Sequence, residues 1–322
     1  MESGLQLKDS FEISTDVQEL IESARAYAAQ SKSRNTRRAY KGHWDRFVAF
    51  CQQKGARALP ASPDTVAVYA AYLARQGRKV STIEQALAAI GAAHEAAGHD
   101  APNKTSAVKM VMQGIRRNLG VAPCRKQAIT KDILAALVAP LGDRPKDLRD
   151  RALILVGFAG AFRRSELVSL RVEDVEQQER GLLVRVPRSK TDQEGKGQLK
   201  AIFYAREKAL CPVRALQEWL QASGIDEGYI FQSLTKGGNT TGRPLDGGDV
   251  ARIIHRLQRQ TGLETFDFSG HSLRAGFVTE ATRNQKSDRA IARQTGHKTR
   301  KMIDVYSREE EIFNDNAGNG LL

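Results

Sequence analysis

The sequence has only three cysteines, Cys51, Cys124 and Cys211. They are too few and too scattered for a zinc site or a disulfide framework, and they read as free thiols in a reducing compartment. Long apolar runs are also missing. The longest, ALILVGFAGAF from Ala152 to Phe162, holds 11 residues. A bilayer span needs roughly 20, so this stretch reads as a buried helix. The opening MESGLQLKDSFEIST lacks the basic stretch and apolar core of a secretory signal, and a cytoplasmic location is expected. No cluster of carboxylates suits Mg²⁺ and no cluster of His and Cys suits Zn²⁺. No metal site is expected.

Positive charge, by contrast, is abundant. The 50 Lys and Arg outnumber the 37 Asp and Glu, for a net charge of +13 and a pI of about 9.8. A balance this basic points to a polyanionic partner, nucleic acid first. The excess is spread over both halves of the chain, so it is no mere basic tail.

At 322 residues the chain is long enough for two domains, each with its own core. Residues 1–120 are patterned as helices throughout, near 16–30, 35–53, 63–76, 81–97 and 104–119. In the second of these Tyr40, Trp44, Phe47 and Cys51 form one apolar stripe, while Arg34, Arg38 and Lys41 fall on another face. Ile83, Leu87 and Ile90 repeat the stripe in the fourth; Val108, Val111, Met112 and Ile115 do so in the fifth, beside Lys109, Arg116 and Arg117. Such a pattern predicts a helical bundle with basic edges. Gly120 is a plausible helix stop, and residues 121–127 read as a linker. Residues 128–322 then form a second, mostly helical domain. Thr130 caps one helix, a strongly apolar helix runs from Lys146 to Ala161, and GLLVRVPRSKTDQEGKGQLKAIFYA alternates around a Gly-rich turn as a β-hairpin or small antiparallel sheet. Further helices cover 247–261 and 271–283, one starts at Ser287, and one carries Tyr306. The fold class is mainly α with a small antiparallel sheet.

Four short segments place polar groups where chemistry is possible, and each has an ordinary reading beside it. In GAFRRSELVSL, Arg163 and Glu166 sit three apart directly after the most apolar helix; an ion pair at the mouth of the core would explain them. In PRSKTDQEGKG, Lys190 closes a strand and Lys196 competes with it, either of which is ordinary as a solvated turn lysine. In SGHSLRAGF, His271 and Arg274 share one face of a helix near its start; a capping histidine and a surface arginine are the plain alternative. In TGHKTRKMIDVYSR, His297 precedes Tyr306 by nine residues, and Tyr306 alone would be an ordinary half-buried aromatic. His94 continues an apolar stripe and reads as packed, while His43, His99 and His255 lack ligand spacing.

Together these segments supply arginines, histidines, a lysine and a tyrosine. A phosphodiester attacked in line needs its growing negative charge neutralised, and guanidinium forks do this without a metal. A phenol with a pKa near 10 needs its proton accepted, and a histidine titrates in the right range. A lysine on a hairpin can protonate the leaving oxygen.

The order of these motifs resembles the tyrosine recombinase, or phage integrase, family. Ala161-Phe-Arg163-Arg164-Ser-Glu166-Leu resembles its G-x-R-x-S-E-L segment, SKTDQ its hairpin-lysine motif, His271-Ser-Leu-Arg274 its H-x-x-R, and Gly296-His297 with Tyr306 its nucleophile box. Counting back three from Glu166 selects Arg163 over Arg164, and the strand end selects Lys190 over Lys196. The likeness implies site-specific DNA cleavage and rejoining through a 3′-phosphotyrosyl link at Tyr306. It also implies an arginine clamp of Arg163 and Arg274, proton handling by His271, a phosphate hydrogen bond from His297, leaving-group protonation by Lys190 and orientation of Arg163 by Glu166. It implies no metal or organic cofactor. The implied partners are double-stranded DNA carrying inverted repeats, clamped by the two domains, and further copies of the chain, a dimer on each site and a tetramer in synapsis linked through residues 309–322. Accessory DNA-bending proteins are possible additions. A second cationic stretch, Arg283, Lys286, Arg289, Arg293, Lys298, Arg300 and Lys301 against the single acid Asp288, suits phosphate contacts. The competing readings are a type IB topoisomerase that relaxes DNA and a non-catalytic DNA-binding regulator.

Overall fold

Ser33 opens the first fully described helix because its hydroxyl accepts from the backbone N–H of Thr36 at 3.2 Å, satisfying one of the donors that every helix start leaves over. The computed structural model describes residues 33–120, 126–187 and 197–297, with four isolated positions, 20, 22, 23 and 27, before them. Most of the expected 16–30 helix, residues 121–125 with Cys124, Lys190, Lys196, Lys298, Arg300, Lys301, the Tyr306 helix and the 309–322 tail therefore lie outside the described residues, as does the side chain of Arg34. The chain divides into two compact units at Cys124 and Arg125.

The first unit is built from α1 (Arg34–Lys54), α2 (Pro63–Arg75), α3 (Val80–Ala96) and α4 (Ser106–Leu119). Gly55 at φ 65° and Gly120 at φ 71° end α1 and α4 in a backbone region that glycine enters without steric cost. The stripes turn inward: Phe47, Val66, Ile83, Ile90 and Val108 are fully buried, with Tyr69, Cys51 and Met112 close to it. Each such side chain contributes about 1.5–3 kcal/mol by leaving water. His94 is a core residue. Its Nε2 accepts from the Ala61 N–H at 2.8 Å and its Nδ1 donates to the Ile90 carbonyl at 2.8 Å, so one neutral tautomer satisfies both ring nitrogens.

The second unit is organised around α6 (Pro145–Ala159). Ala152, Leu153, Ile154, Leu155 and Val156 are all buried, and a helix apolar on every side belongs inside a core. α5 (Lys131–Val138) precedes it; α7 (Arg164–Val168) follows after a sharp turn. Next come β1 (Val175–Gln178), β2 (Gly181–Val186) and β3 (Gln198–Phe203), an antiparallel sheet in that order. α8 (Pro212–Ser223) lays Trp219 into the core with its indole N–H on the Ile230 carbonyl at 2.9 Å. α9 (Gly247–Thr261), α10 (Ser272–Arg283) and α11 (Asp288–Thr295) are the remaining helices among the described residues. α10 comes so close to the strand-like segment before α5 that a Cβ on Gly276 would sit 1.8 Å from the Ile129 carbonyl oxygen.

The mainly helical class with small antiparallel sheets is therefore present, with one addition. A second sheet pairs β4 (Gln232–Leu234) with β5 (Thr240–Pro244). Its strands are short and polar around a Gly-Gly turn, so no alternation of apolar residues marks them. Among the described residues no helix is long and apolar enough to cross a membrane.

Candidate active site

Arg163 stands at the N-cap of α7, held by its own helix start. Its backbone N–H donates to Glu166 Oε2 at 2.9 Å, and its guanidinium Nη1 meets Glu166 Oε1 at 2.5 Å. Glu166 is buried, so a charge-assisted pair there fixes the arginine far more firmly than a surface pair would. Arg164 is exposed, with its stem lying where a Cβ on Gly270 would be, 2.3 Å from Cδ, and from beside the site its charge acts on His271.

The segment delivering Arg163 is strained. After the last residue of α6 the chain runs through Gly160 to Ala161, whose φ is +46°. For a residue with a Cβ this left-handed conformation costs about 1–2 kcal/mol. Arg274, on α10 and only 1% exposed, donates from Nη1 to the Ala161 carbonyl at 2.8 Å. The two arginines of the expected clamp are thus joined through one turn.

His271 forms the N-cap of α10, its N–H donating to Ser269 Oγ at 3.2 Å. The residue keeps solvent exposure. Partial burial of the ring, and then the cations Arg274, Arg164 and Arg163, hold it below the usual histidine range. His297 follows the left-handed Gly296 that ends α11. It is buried, and burial followed by Arg274, Arg163, His271 and Lys200 brings it down to about 4. Both imidazoles are therefore neutral at pH 7. Arg163, His271 with Arg274, and His297 come from three separate stretches, yet they feel one another's charge. Their convergence makes a cationic cluster suited to a phosphate diester.

One member was not foreseen. Lys200, on β3, is 1% exposed. Its register partner is Val184, and it shares the inward face with Ile202, so strand parity with Ile202 is the signal that would have found it. Its ammonium donates to the carbonyls of Gly160 at 2.9 Å and Gln294 at 2.6 Å. Among the described residues no group of His, Cys, Asp and Glu is placed to hold a metal ion.

The expected DNA-facing cations divide. Arg38, Lys109, Arg117, Lys286, Arg289 and Arg293 are exposed. Others are engaged: Lys41 with Asp45 at 2.7 Å, Arg116 with Glu84 at 2.7 Å, Arg283 with Glu280 at 3.2 Å.

A fold of this kind around such a cluster defines a tyrosine recombinase. Residues 127–311 match the phage integrase family and residues 25–99 match the phage integrase N-terminal SAM-like domain. The chain belongs to that family, whose members cleave and rejoin DNA in site-specific recombination. It is 38% identical to the integrase/recombinase xerD homolog of Selenomonas ruminantium, over 98% of this chain and 95% of that protein. It is 27% identical to recombinase Cre of Escherichia phage P1, over 74% of this chain and 73% of Cre. Among solved structures, a lambda integrase dimer bound to a COC′ core site covers 90% of this chain and 94% of its own, with a TM-score of 0.61 at 19% identity. The Tn1549 transposon integrase in complex with transposon right end DNA covers 92% of this chain and 98% of its own, with a TM-score of 0.61 at 14% identity. Both are likenesses of fold. A relaxing topoisomerase or an inactive regulator is not favoured by these matches.

Proposed function

We propose that this recombinase cuts double-stranded DNA with the hydroxyl of Tyr306. The convergence of Arg163, Arg274, His271 and His297 on one pocket carries the reading. Two guanidinium groups and a neutral imidazole N–H offer donors to the non-bridging oxygens of one phosphate, where charge grows as the phosphorus becomes five-coordinate. Tyr306 Oη forms the new bond to phosphorus and passes its proton to His271. The bond from phosphorus to the 5′ oxygen breaks, and that oxygen leaves with a proton from Lys190. The phosphate is then linked through its 3′ side to Tyr306. Attack by the 5′ hydroxyl of a partner strand reverses each step, so the phosphotyrosyl bond conserves the energy of cleavage and no ATP is consumed. Glu166 holds Arg163 in register.

The exposed cations of both units, Arg38, Lys109, Arg117, Lys286, Arg289 and Arg293, contact phosphates and set position rather than sequence; Arg34, Lys298, Arg300 and Lys301 add to them. A dimer occupies each inverted-repeat site, and two sites meet in a tetramer whose protomers exchange residues 309–322. The reaction takes place on chromosomal or element DNA in the cytoplasm.

The test is covalent trapping. Protein is incubated with DNA from the flanks of its own gene, quenched with detergent and run on a denaturing gel beside Tyr306→Phe. A slow adduct that needs Tyr306 and maps to one inverted repeat is expected. Adduct on any supercoiled DNA would point to relaxation instead, and salt-sensitive binding without adduct on any candidate site would point to a regulator. Deleting residues 309–322 is expected to spare binding and weaken synapsis.

A further inference from the structure

Lys200 is buried inside the second unit, yet it touches both segments that carry the proposed phosphate-binding groups. On one side its ammonium holds the carbonyl of Gly160, at the C-terminal cap of α6; on the other it holds the carbonyl of Gln294, in the last turn of α11. Helix C-termini present unsatisfied carbonyls and the negative end of the helix dipole, so a cation between two of them is electrostatically matched. The same ammonium sits 5.0 Å from the centroid of the Phe162 ring, within range of a cation–π contact. Gly160 and Phe162 flank the left-handed Ala161. A conformation of that kind persists only where its neighbours over-determine it. Here Arg274 fixes the Ala161 carbonyl, and Lys200 fixes the residues before and after.

The Gln294 side is equally tied. The Gln294 side chain donates to the carbonyls of Ala159 at 3.1 Å and Ala201 at 2.9 Å, and Gln198 Nε2 reaches back to the carbonyl of Arg293. Strand β3, the end of α6 and the end of α11 are thus knotted at one point, with Lys200 at its centre. Three residues beyond each held carbonyl stands a candidate phosphate ligand: Arg163 after Gly160, His297 after Gln294.

We infer that Lys200 is a positioning residue for strand cleavage, bridging Gly160 and Gln294 so that the turns delivering Arg163 and His297 meet the same phosphate. The inference rests on the recombinase reading of this pocket. Lys200 has a role separate from that of Lys190, ten residues earlier on the hairpin: two of its three donors sit on backbone carbonyls, and its part is to place the two turns rather than to protonate the leaving oxygen. Burial brings its pKa down to about 7, with Glu166 opposing and Arg274 and Arg163 reinforcing the shift. That places the lysine within the electrostatic reach of the pocket it supports.

The experiment uses the full chain, a trapped target duplex, and the same duplex with sulfur replacing the bridging 5′ oxygen at the cut. A thiolate leaves without being protonated, so a defect in the proton donor disappears on the sulfur duplex, whereas a defect in phosphate placement remains. Lys200→Met is expected to bind DNA within about twofold of wild type and melt within a few degrees of it, while the cleavage rate at saturating protein falls about 10- to 100-fold on both duplexes alike. Adding Ala161→Gly, which relaxes the strained turn, is expected to recover part of that loss. Cleavage by Lys200→Met within threefold of wild type would overturn the inference, and so would a defect that vanishes on the sulfur duplex. If the methionine variant does not fold, Lys200→Gln, which keeps a donor for one carbonyl, carries the same expectation with a smaller loss. No Tyr306-dependent adduct from the wild-type chain would overturn the reading of the pocket itself, whatever Lys200 does.

Discussion

Arg274 and Ala161 are 113 positions apart and joined by a hydrogen bond of 2.8 Å, from the arginine Nη1 to the alanine carbonyl. The buried arginine therefore holds a strained turn besides binding the phosphate in the proposed reaction. Lysine in its place would keep a positive charge but lose the planar fork. Arg274→Lys is expected to lower the cleavage rate about 10²- to 10³-fold, the loss typical of a transition-state donor, while changing DNA affinity little. Single-turnover adduct formation with saturating protein measures it. A variant within tenfold of wild type would remove Arg274 from the clamp.

Ala161 makes a second prediction, because two magnitudes oppose each other there. Glycine would relieve about 1–2 kcal/mol of left-handed strain and add about 0.4–1 kcal/mol of chain entropy to the unfolded state. Ala161→Gly is expected to stabilise by about 0.5 kcal/mol on balance. Valine, branched at Cβ, should destabilise by more than 1 kcal/mol, on the order of the cost of an imposed left-handed conformation. Urea midpoints compare the three. A glycine variant less stable than wild type by more than 1 kcal/mol would show that the methyl packs better than its φ costs.

How much of this was legible beforehand depends on the distance over which each signal acts. The Arg163 and Glu166 pair is local, three residues apart, and reads directly as an ion pair just beyond the apolar helix. The stripe through Phe47 and Cys51 obeys helical period and turned inward as that period requires. Ala161 was visible as an alanine where the family motif has glycine, but its strain is a property of backbone conformation. Lys200 was hidden because β3 carries Leu199 and Phe203 on its exposed face. Hydropathy alone assigns those two to the core and the lysine to water, and against them stood only its parity with Ile202, which pairing with β2 turns inward. The Gln294 knot joins segments about 94 to 135 residues apart, and no local pattern encodes it.

The two histidines give the pH prediction. A histidine whose folded pKa lies below its unfolded value of 6.5 binds fewer protons folded than unfolded, so stability is lost as pH falls through that window. For His297 the window runs from 6.5 to about 4; for His271 the shift has the same sign. The free protein should therefore lose stability between pH 6.5 and 4 more steeply than His297→Gln. In proton NMR the His297 ring should titrate near 4 without DNA and higher once a phosphate sits between the arginines. A His297 titration above 6.5 in the free protein would contradict the burial and the cationic neighbours that define the pocket.

Salt dependence separates the cations that hold phosphates from those that hold the protein together. Each phosphate contact releases condensed counterions, and removing one reduces the slope of log affinity against log salt by about 0.9 on duplex DNA. Arg289 and Arg293 are exposed, on α11. Arg116 is exposed too, but both Nε and Nη2 lie on Glu84, at 3.0 and 2.7 Å. Surface pairs of this kind contribute about 0–1 kcal/mol, enough to compete with one screened phosphate contact. Alanine at Arg289 or Arg293 is expected to flatten the slope by close to one unit each and weaken binding to cognate and random duplexes equally, as loss of a contact without base information must. Arg116→Ala is expected to change the slope by much less, and Glu84→Gln to steepen it by freeing the guanidinium for DNA. Fluorescence anisotropy at four or five salt concentrations resolves these differences. Equal slopes for Arg116→Ala and Arg293→Ala would mean that the Glu84 pair opens on DNA and that the first unit grips phosphates as strongly as the second.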